Sequence, residues 1–155
     1  MAGIASVMET ELVTAGMTET VTTAAIRMSR NNVGALLVLD GERLVGLVSE
    51  RDLVSRVVAA RRDAEATTVG QICTRDVVTI DVNEPLKSVL SVFRDQKFRH
   101  LPVARNGKPV GILSARDFHR FLVEGFERYV SQLKYERALA EGEDPYDHFG
   151  GQYER

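Results

Sequence analysis

The chain has 155 residues, of which 44% are hydrophobic and 27% charged, and its formal net charge is −2. This is enough apolar material for one domain or two small, closely packed halves, and the near-neutral balance argues against a dedicated nucleic-acid binder, whose basic residues cluster in excess. Cys73 is the single cysteine, so no internal disulfide forms and the residue reads as a packed thiol. No apolar run approaches the ~20 residues of a membrane span and no leader pattern opens the chain, so a cytoplasmic protein is expected.

In chain order, a β-rich stretch at Leu12–Thr14 leads into a helix with Thr18 as its predicted cap and Ala24, Ala25 and Met28 on its buried stripe. Two apolar runs follow, Ala35–Leu39 and Leu44–Val48, with the hairpin signal Asp40-Gly41 between them. A second helix begins near Ser49. Arg61–Thr68, charged and small-residue-rich, reads as a connector.

The same order then recurs. Val77–Ile80 is the β-rich stretch, Asn83 the predicted cap, and Pro85 falls in the first helical turn. Leu86, Val89, Leu90 and Phe93 form the expected buried stripe. Leu101–Ala104 and Val110–Leu113 are the paired runs around Asn106-Gly107, and a helix begins near Ser114. A shift of 65 positions aligns Val7–Val58 with Ile72–Val123 without a gap. The two glycine turns lie 66 apart, so the hairpins should differ in bulge or turn type. A lone unit of this size buries little surface, so two β-α-β-β-α units packed sheet to sheet are predicted, an α+β fold.

The expected boundaries are 4–61 and 69–124 for the repeats and 125–155 for a C-terminal extension. Phe126, Tyr129, Val130, Leu133 and Leu139 predict that the last helix runs to about Ala140. The acidic stretch Glu141–Asp147 and the run Phe149–Tyr153 read as a frayed terminus, with a docking or dimerising arm as the alternative for the helix.

One constellation carries chemistry. Gly46-Leu47-Val48-Ser49-Glu50-Arg51-Asp52 is matched by Gly111-Ile112-Leu113-Ser114-Ala115-Arg116-Asp117. In each, the chain leaves a strand and turns straight into a helix; glycine permits close backbone approach, and serine stands at the N-cap, where unpaired N–H groups favour an anion. An aspartate three residues on offers two acceptor oxygens to a ribose diol, and the arginine before it can pair with phosphate. Ser-x-x-Asp is also close to a capping box, which needs no ligand. Duplication in two equivalent settings favours the ligand reading.

Motif, element order and duplication together resemble the CBS-domain family, in which two tandem repeats form a Bateman module. The resemblance covers Ile4 to Val123. It implies a non-catalytic regulatory module that binds AMP, ADP or ATP, with S-adenosylmethionine or NAD also possible in the family, and that pairs into homodimers to regulate a partner protein. The ribose-facing positions fall on Asp52 and Asp117, the hydroxyls on Ser49 and Ser114, and the phosphate-facing arginines on Arg51 and Arg116. In adenylate-sensing members a basic pair before the second strand faces phosphate; Arg99 and His100 hold that place, whereas the first repeat has Gly34 and Ala35. Val33 and Phe98 look like apolar walls for the adenine. Arg99, His100 and Arg116 are therefore expected to serve one strong cleft organised by the second repeat, leaving Arg51 alone in the other.

The competing reading is an interaction scaffold with vestigial clefts. Nothing in the sequence pairs a nucleophile with a base, and His119 and His148 lack ligand-type neighbours at metal spacing, so neither a catalytic residue nor a metal site is assigned. No membrane partner is expected.

Overall fold

The computed structural model describes residues 3–96 and 98–142, without the side chain of Gln96. Turn chemistry sets the two hairpins. Strands β2 (Ala35–Asp40) and β3 (Arg43–Ser49) pair antiparallel, as do β5 (His100–Arg105) and β6 (Lys108–Ser114). Each hairpin shifts register at the same place, Val38/Leu39 in the first and Val103/Ala104 in the second. The bulge is therefore shared. What differs is the two-residue turn: of Gly41-Glu42 only Gly41 has positive φ (60°), whereas Asn106 (51°) and Gly107 (77°) both do. The second pattern is that of a type I′ turn, and the position of the glycine within the turn accounts for the extra residue in the 66-residue spacing.

A short parallel strand completes each sheet, β1 (Thr14–Gly16) against β2 and β4 (Ile80–Asp81) against β5, giving two three-stranded sheets. Between the first and second strands of each sheet runs an eleven-residue helix, α1 (Val21–Asn31) or α4 (Leu86–Gln96). The predicted caps move. Thr20, not Thr18, accepts the Thr23 N–H at the start of α1. Asn83 donates its N–H to Asp81 Oδ1 instead of capping α4, and Pro85 stands immediately before the helix, its carbonyl taking the Ser88 N–H. Thr18 and Asn83 lose to neighbours because a cap must sit where the chain leaves extended geometry, a point fixed by the sheet. Ala24, Met28 and Val89 are buried as expected, Ala25, Leu86 and Phe93 are half-buried, and Leu90 is 45% exposed.

After the first hairpin come α2 (Glu50–Leu53) and a π-helical stretch, Val54–Val58, capped by Ala59; Arg61 follows at φ 54°. The connector then enters α3 (Val69–Ile72). This short helix opens the second repeat, yet Val69, Ile72 and Cys73 are buried in the cluster formed by Ala15, Met28, Leu36, Val38 and Val48 of the first. The backbone crosses over as well. Thr74 and Leu47 exchange N–H···O bonds of 2.8 and 2.9 Å, and Glu9 and Ile112 exchange two of 2.9 Å at the position equivalent by the 65-residue shift. Each repeat's entry segment thus extends the other repeat's sheet.

Two glycines make this possible. A Cβ on Gly46 would lie 2.9 Å from Cys73 Sγ and 3.0 Å from the Thr74 carbonyl; one on Gly111 would lie 2.5 Å from Met8 Sδ and 3.0 Å from the Glu9 carbonyl. The motif glycines are there for the partner repeat's backbone. Cys73 is buried as expected, and that burial pushes its thiol pKa up.

The chain divides into two compact units, Met1–Asp117 and Phe118–Arg155. The second is the body of α5 (Ala115–Ala140), which ends where the sequence placed it. Phe118 is buried and its ring stacks on Phe121 at 6.5 Å, while Leu122, Phe126, Tyr129, Leu133 and Leu139 are exposed. Residues 143–155, with His148 and the run Phe149–Tyr153, lie outside the described residues.

Candidate functional site

The strand-to-helix turns come first. Ser49 caps α2 in extended conformation, its hydroxyl accepting the Asp52 N–H while Asp52 Oδ2 accepts the Ser49 N–H (2.8 Å) and hydroxyl (3.0 Å). The capping box is closed in full. Asp52 Oδ1 faces Arg56 Nε at 3.5 Å, one helical turn on, and Arg56 also donates to the Ile72 carbonyl. Asp52 is only 9% exposed, so its carboxylate is fixed in place by the box and a cation behind it. Arg56 was not a predicted site residue; its signal was the four-residue spacing from Asp52. In the second turn the Ser114 hydroxyl donates to Asp117 Oδ2 and accepts the Asp117 N–H at 3.0 Å. Asp117 is half-buried. Ligand contact and capping are compatible here, because a carboxylate has more acceptor sites than the box uses.

A cavity of about 450 Å³ opens over the first turn, within the usual range of small-molecule sites. Ser49, Glu50, Arg51 and Asp52 form one wall, and Phe98, Arg99 and His100 form another. Leu47, Val54, Val77 and Val78 supply apolar surface. Arg99 and His100 thus line a cavity with the turn of the first repeat, while their backbone stays beside their own turn: His100 pairs with Ser114, and the Arg99 carbonyl takes the Ala115 N–H. The crossed topology brings the second repeat's entry residues Thr74, Val77 and Val78 to the same cavity. Ser114, Arg116 and Asp117 are not among this cavity's walls. Val33 is not among them either; it packs on the core of the first repeat.

His100 sits where charges from both turns reach it. Burial lowers its pKa most; Glu50 and Asp117 oppose that shift, and Arg99 and Arg116 add to it. The imidazole is therefore neutral at neutral pH, and protonation there belongs to acid conditions. Its Nε2 lies 3.2 Å from the point a Gly34 Cβ would occupy, and Glu50 Oε2 lies 3.3 Å from the same point. Gly34 makes the room in which these two polar groups converge. Glu50 was also missed by the sequence reading, since its counterpart in the other repeat is Ala115.

A wider, more open depression of about 600 Å³ beside Glu19 and Arg27 is a different kind of feature. Arg27 Nη1 donates to the Thr14 carbonyl and to Glu19 Oε2, Nη2 donates to Glu19 Oε1, and Glu19 Oε2 also takes the Gly16 N–H at 2.6 Å. The guanidinium holds the Glu19 carboxyl below its ordinary range. These groups satisfy one another and tie α1 to β1.

Among the described residues no group of three His, Cys, Asp or Glu side chains could hold a metal, and no helix is long and apolar enough to cross a membrane.

Two interlocked α/β repeats with a ligand-sized cavity at a strand-to-helix turn define the architecture of a tandem repeat pair. The CBS-domain family model matches residues 4–59 and again 69–124, and the chain belongs to that family. Hypoxic response protein 1 of Mycobacterium tuberculosis is 30% identical over 136 residues, covering 86% of this chain and 95% of that protein. Its crystal structure, with two coordinated zinc ions, superposes with a TM-score of 0.68 at 29% identity, covering 77% of this chain and 98% of that one. A CBS-domain protein from Burkholderia ambifaria MC40-6 superposes with a TM-score of 0.71 at 30% identity, covering 74% and 85%. A CBS-domain protein from Pyrobaculum aerophilum, solved with AMP, does so with a TM-score of 0.68 at 28% identity, covering 75% and 89%.

Proposed function

We propose that this CBS pair is a non-catalytic regulatory module that binds an adenine nucleotide in the cavity over Ser49–Asp52 and reports adenylate status to a partner protein. The observation that carries the reading is the convergence in one cavity of a buried carboxylate (Asp52), two arginines (Arg51, Arg99) and an aromatic ring (Phe98). Asp52 offers its remaining acceptor sites to ribose hydroxyls, the arginines face phosphate, and Phe98 with Val77 and Val78 walls the base. The relative solved with AMP supports that ligand class. No bond-making group is assigned. Ser114, Arg116 and Asp117 would serve a second, weaker cleft. A thermal-shift panel of AMP, ADP, ATP, S-adenosylmethionine and NAD tests the reading: stabilisation by an adenosyl ligand supports it, and no shift with any of them overturns it.

A second reading, an interaction scaffold, is favoured by the exposed apolar residues Leu122, Phe126, Tyr129 and Leu133 at helical spacing on α5. The two are compatible. We take this face, and not the buried Phe118, as the reason to expect a homodimer acting in the cytoplasm. Light scattering at micromolar concentration should give twice the 17.2 kDa chain mass, and the monomer mass would refute it.

A further inference from the structure

The positions that differ most between the repeats are coupled in space. The residue opening the helix after each turn donates its N–H to a carbonyl at the entry of the preceding hairpin: Glu50 to Gly34 (3.0 Å) and Ala115 to Arg99 (2.8 Å). The first repeat therefore has an acid where the second has a methyl, and no side chain where the second has a guanidinium. Gly34, Glu50, Arg99 and His100 all line the one cavity, so at these diverged positions the second repeat contributes a cation, Arg99, beside a neutral imidazole, and the first contributes an anion, Glu50.

The two acids of the cavity are not equivalent. Asp52 is held by its capping box and Arg56. Glu50 is exposed, makes no ion pair among the described residues, and aims Oε2 at the same point as His100 Nε2. Any phosphate drawn to Arg99 therefore also meets an uncompensated carboxylate. Attraction and repulsion both grow with ligand charge, and Glu50 shares the cavity with Arg99 and Arg51, so each further phosphate charge adds repulsion from it.

From this juxtaposition we infer that Glu50 is a specificity-determining residue that limits the phosphate chain the cavity accepts, favouring a nucleoside monophosphate over the di- and triphosphate. This rests on the adenine-nucleotide reading above and adds a discriminating residue to it. Glu50 acts through its charge and not its bulk, because it lies at the exposed edge of the cavity. Its effect is accordingly reduced by salt.

The test is calorimetric titration of the full chain with adenosine, AMP, ADP and ATP at neutral pH, for the wild type, Glu50→Gln, Glu50→Asp and Glu50→Ala. The wild type should bind AMP more tightly than ATP. Glu50→Gln and Glu50→Ala should raise ATP affinity about tenfold more than AMP affinity, leave adenosine nearly unchanged, and lose most of that difference in high salt. Glu50→Asp should keep the wild-type order. Tighter binding of ATP than of AMP by the wild type, or an ATP-to-AMP ratio that Glu50→Gln leaves unchanged, overturns the inference while the nucleotide reading stands. Binding of none of the four ligands by the wild type overturns both.

Discussion

The two repeats share a backbone to the level of a common bulge and the same Ser, Arg and Asp at the turn, yet differ at other side chains that line the cavity. Gly46 and Gly111, Ser49 and Ser114, and Asp52 and Asp117 are kept in both, and each has a structural duty: the glycines admit the other repeat's entry strand, and the Ser–Asp pairs cap the following helix. Gly34 and Arg99, Ala35 and His100, and Glu50 and Ala115 have diverged, and of these Gly34, Glu50, Arg99 and His100 line the cavity. A duplicated fold can vary what its ligand touches only where its own backbone makes no demand. A motif common to both repeats is for that reason weaker evidence of ligand contact than a difference between them.

The largest expected effect falls on the shared positions. Gly111→Ala places a methyl against the Glu9 carbonyl and Gly46→Ala against the Thr74 carbonyl, breaking the crossed pairing; each should cost about 2–3 kcal/mol by chemical denaturation. A cost confined to one of the two would break the equivalence of the two crossings.

Next is the aspartate pair. Asp52→Ala removes a full capping box and leaves Arg56 without its acid, an expected loss of about 2 kcal/mol, against about 1 kcal/mol for Asp117→Ala. Calorimetry on the folded variants should also show that Asp52→Ala weakens AMP binding more than Asp117→Ala. The reverse order would return the principal cleft to the second repeat.

Arg99→Ala sharpens the comparison from the side of the diverged residues. It should lower AMP affinity about tenfold, the scale of one charge-assisted contact, and leave adenosine almost unaffected. The wild type should titrate with one tight AMP site per chain; two equal sites indifferent to Arg99→Ala contradict the assignment.

The smallest effects are in pH. Burial lowers the His100 pKa, so its share of stability is intact above the ordinary value of 6.5 and is lost as pH falls below it. Arg27 lowers the Glu19 pKa, so that share is present above 4.5 and lost below it. Acid unfolding should thus lose the first component in His100→Gln and the second in Arg27→Val, the latter giving the first repeat the valine that Val92 supplies in the second. A His100→Gln variant whose stability falls between neutral pH and pH 5 as much as the wild type's would show that the imidazole titrates freely.

Much of this was legible in the chain itself. The repeat, its element order, both hairpins, the buried cysteine and the end of α5 follow from apolar periodicity, turn residues and one 65-residue shift, all local signals. The site was legible only as two separate halves. Ser49–Asp52 announced itself by motif and Arg99–His100 by position, but sequence spacing assigned the basic pair to its own repeat. Glu50 looked like an ordinary first-turn acid, and Arg56 like one more surface arginine. Which residues share the cavity depends on how the two repeats face one another, including long-range pairings such as Leu47 with Thr74 that no local pattern encodes. Sequence by itself determined which elements form and where each turns. Tertiary structure alone decided which charges share a cavity, because electrostatic contact depends on distance through space and not along the chain.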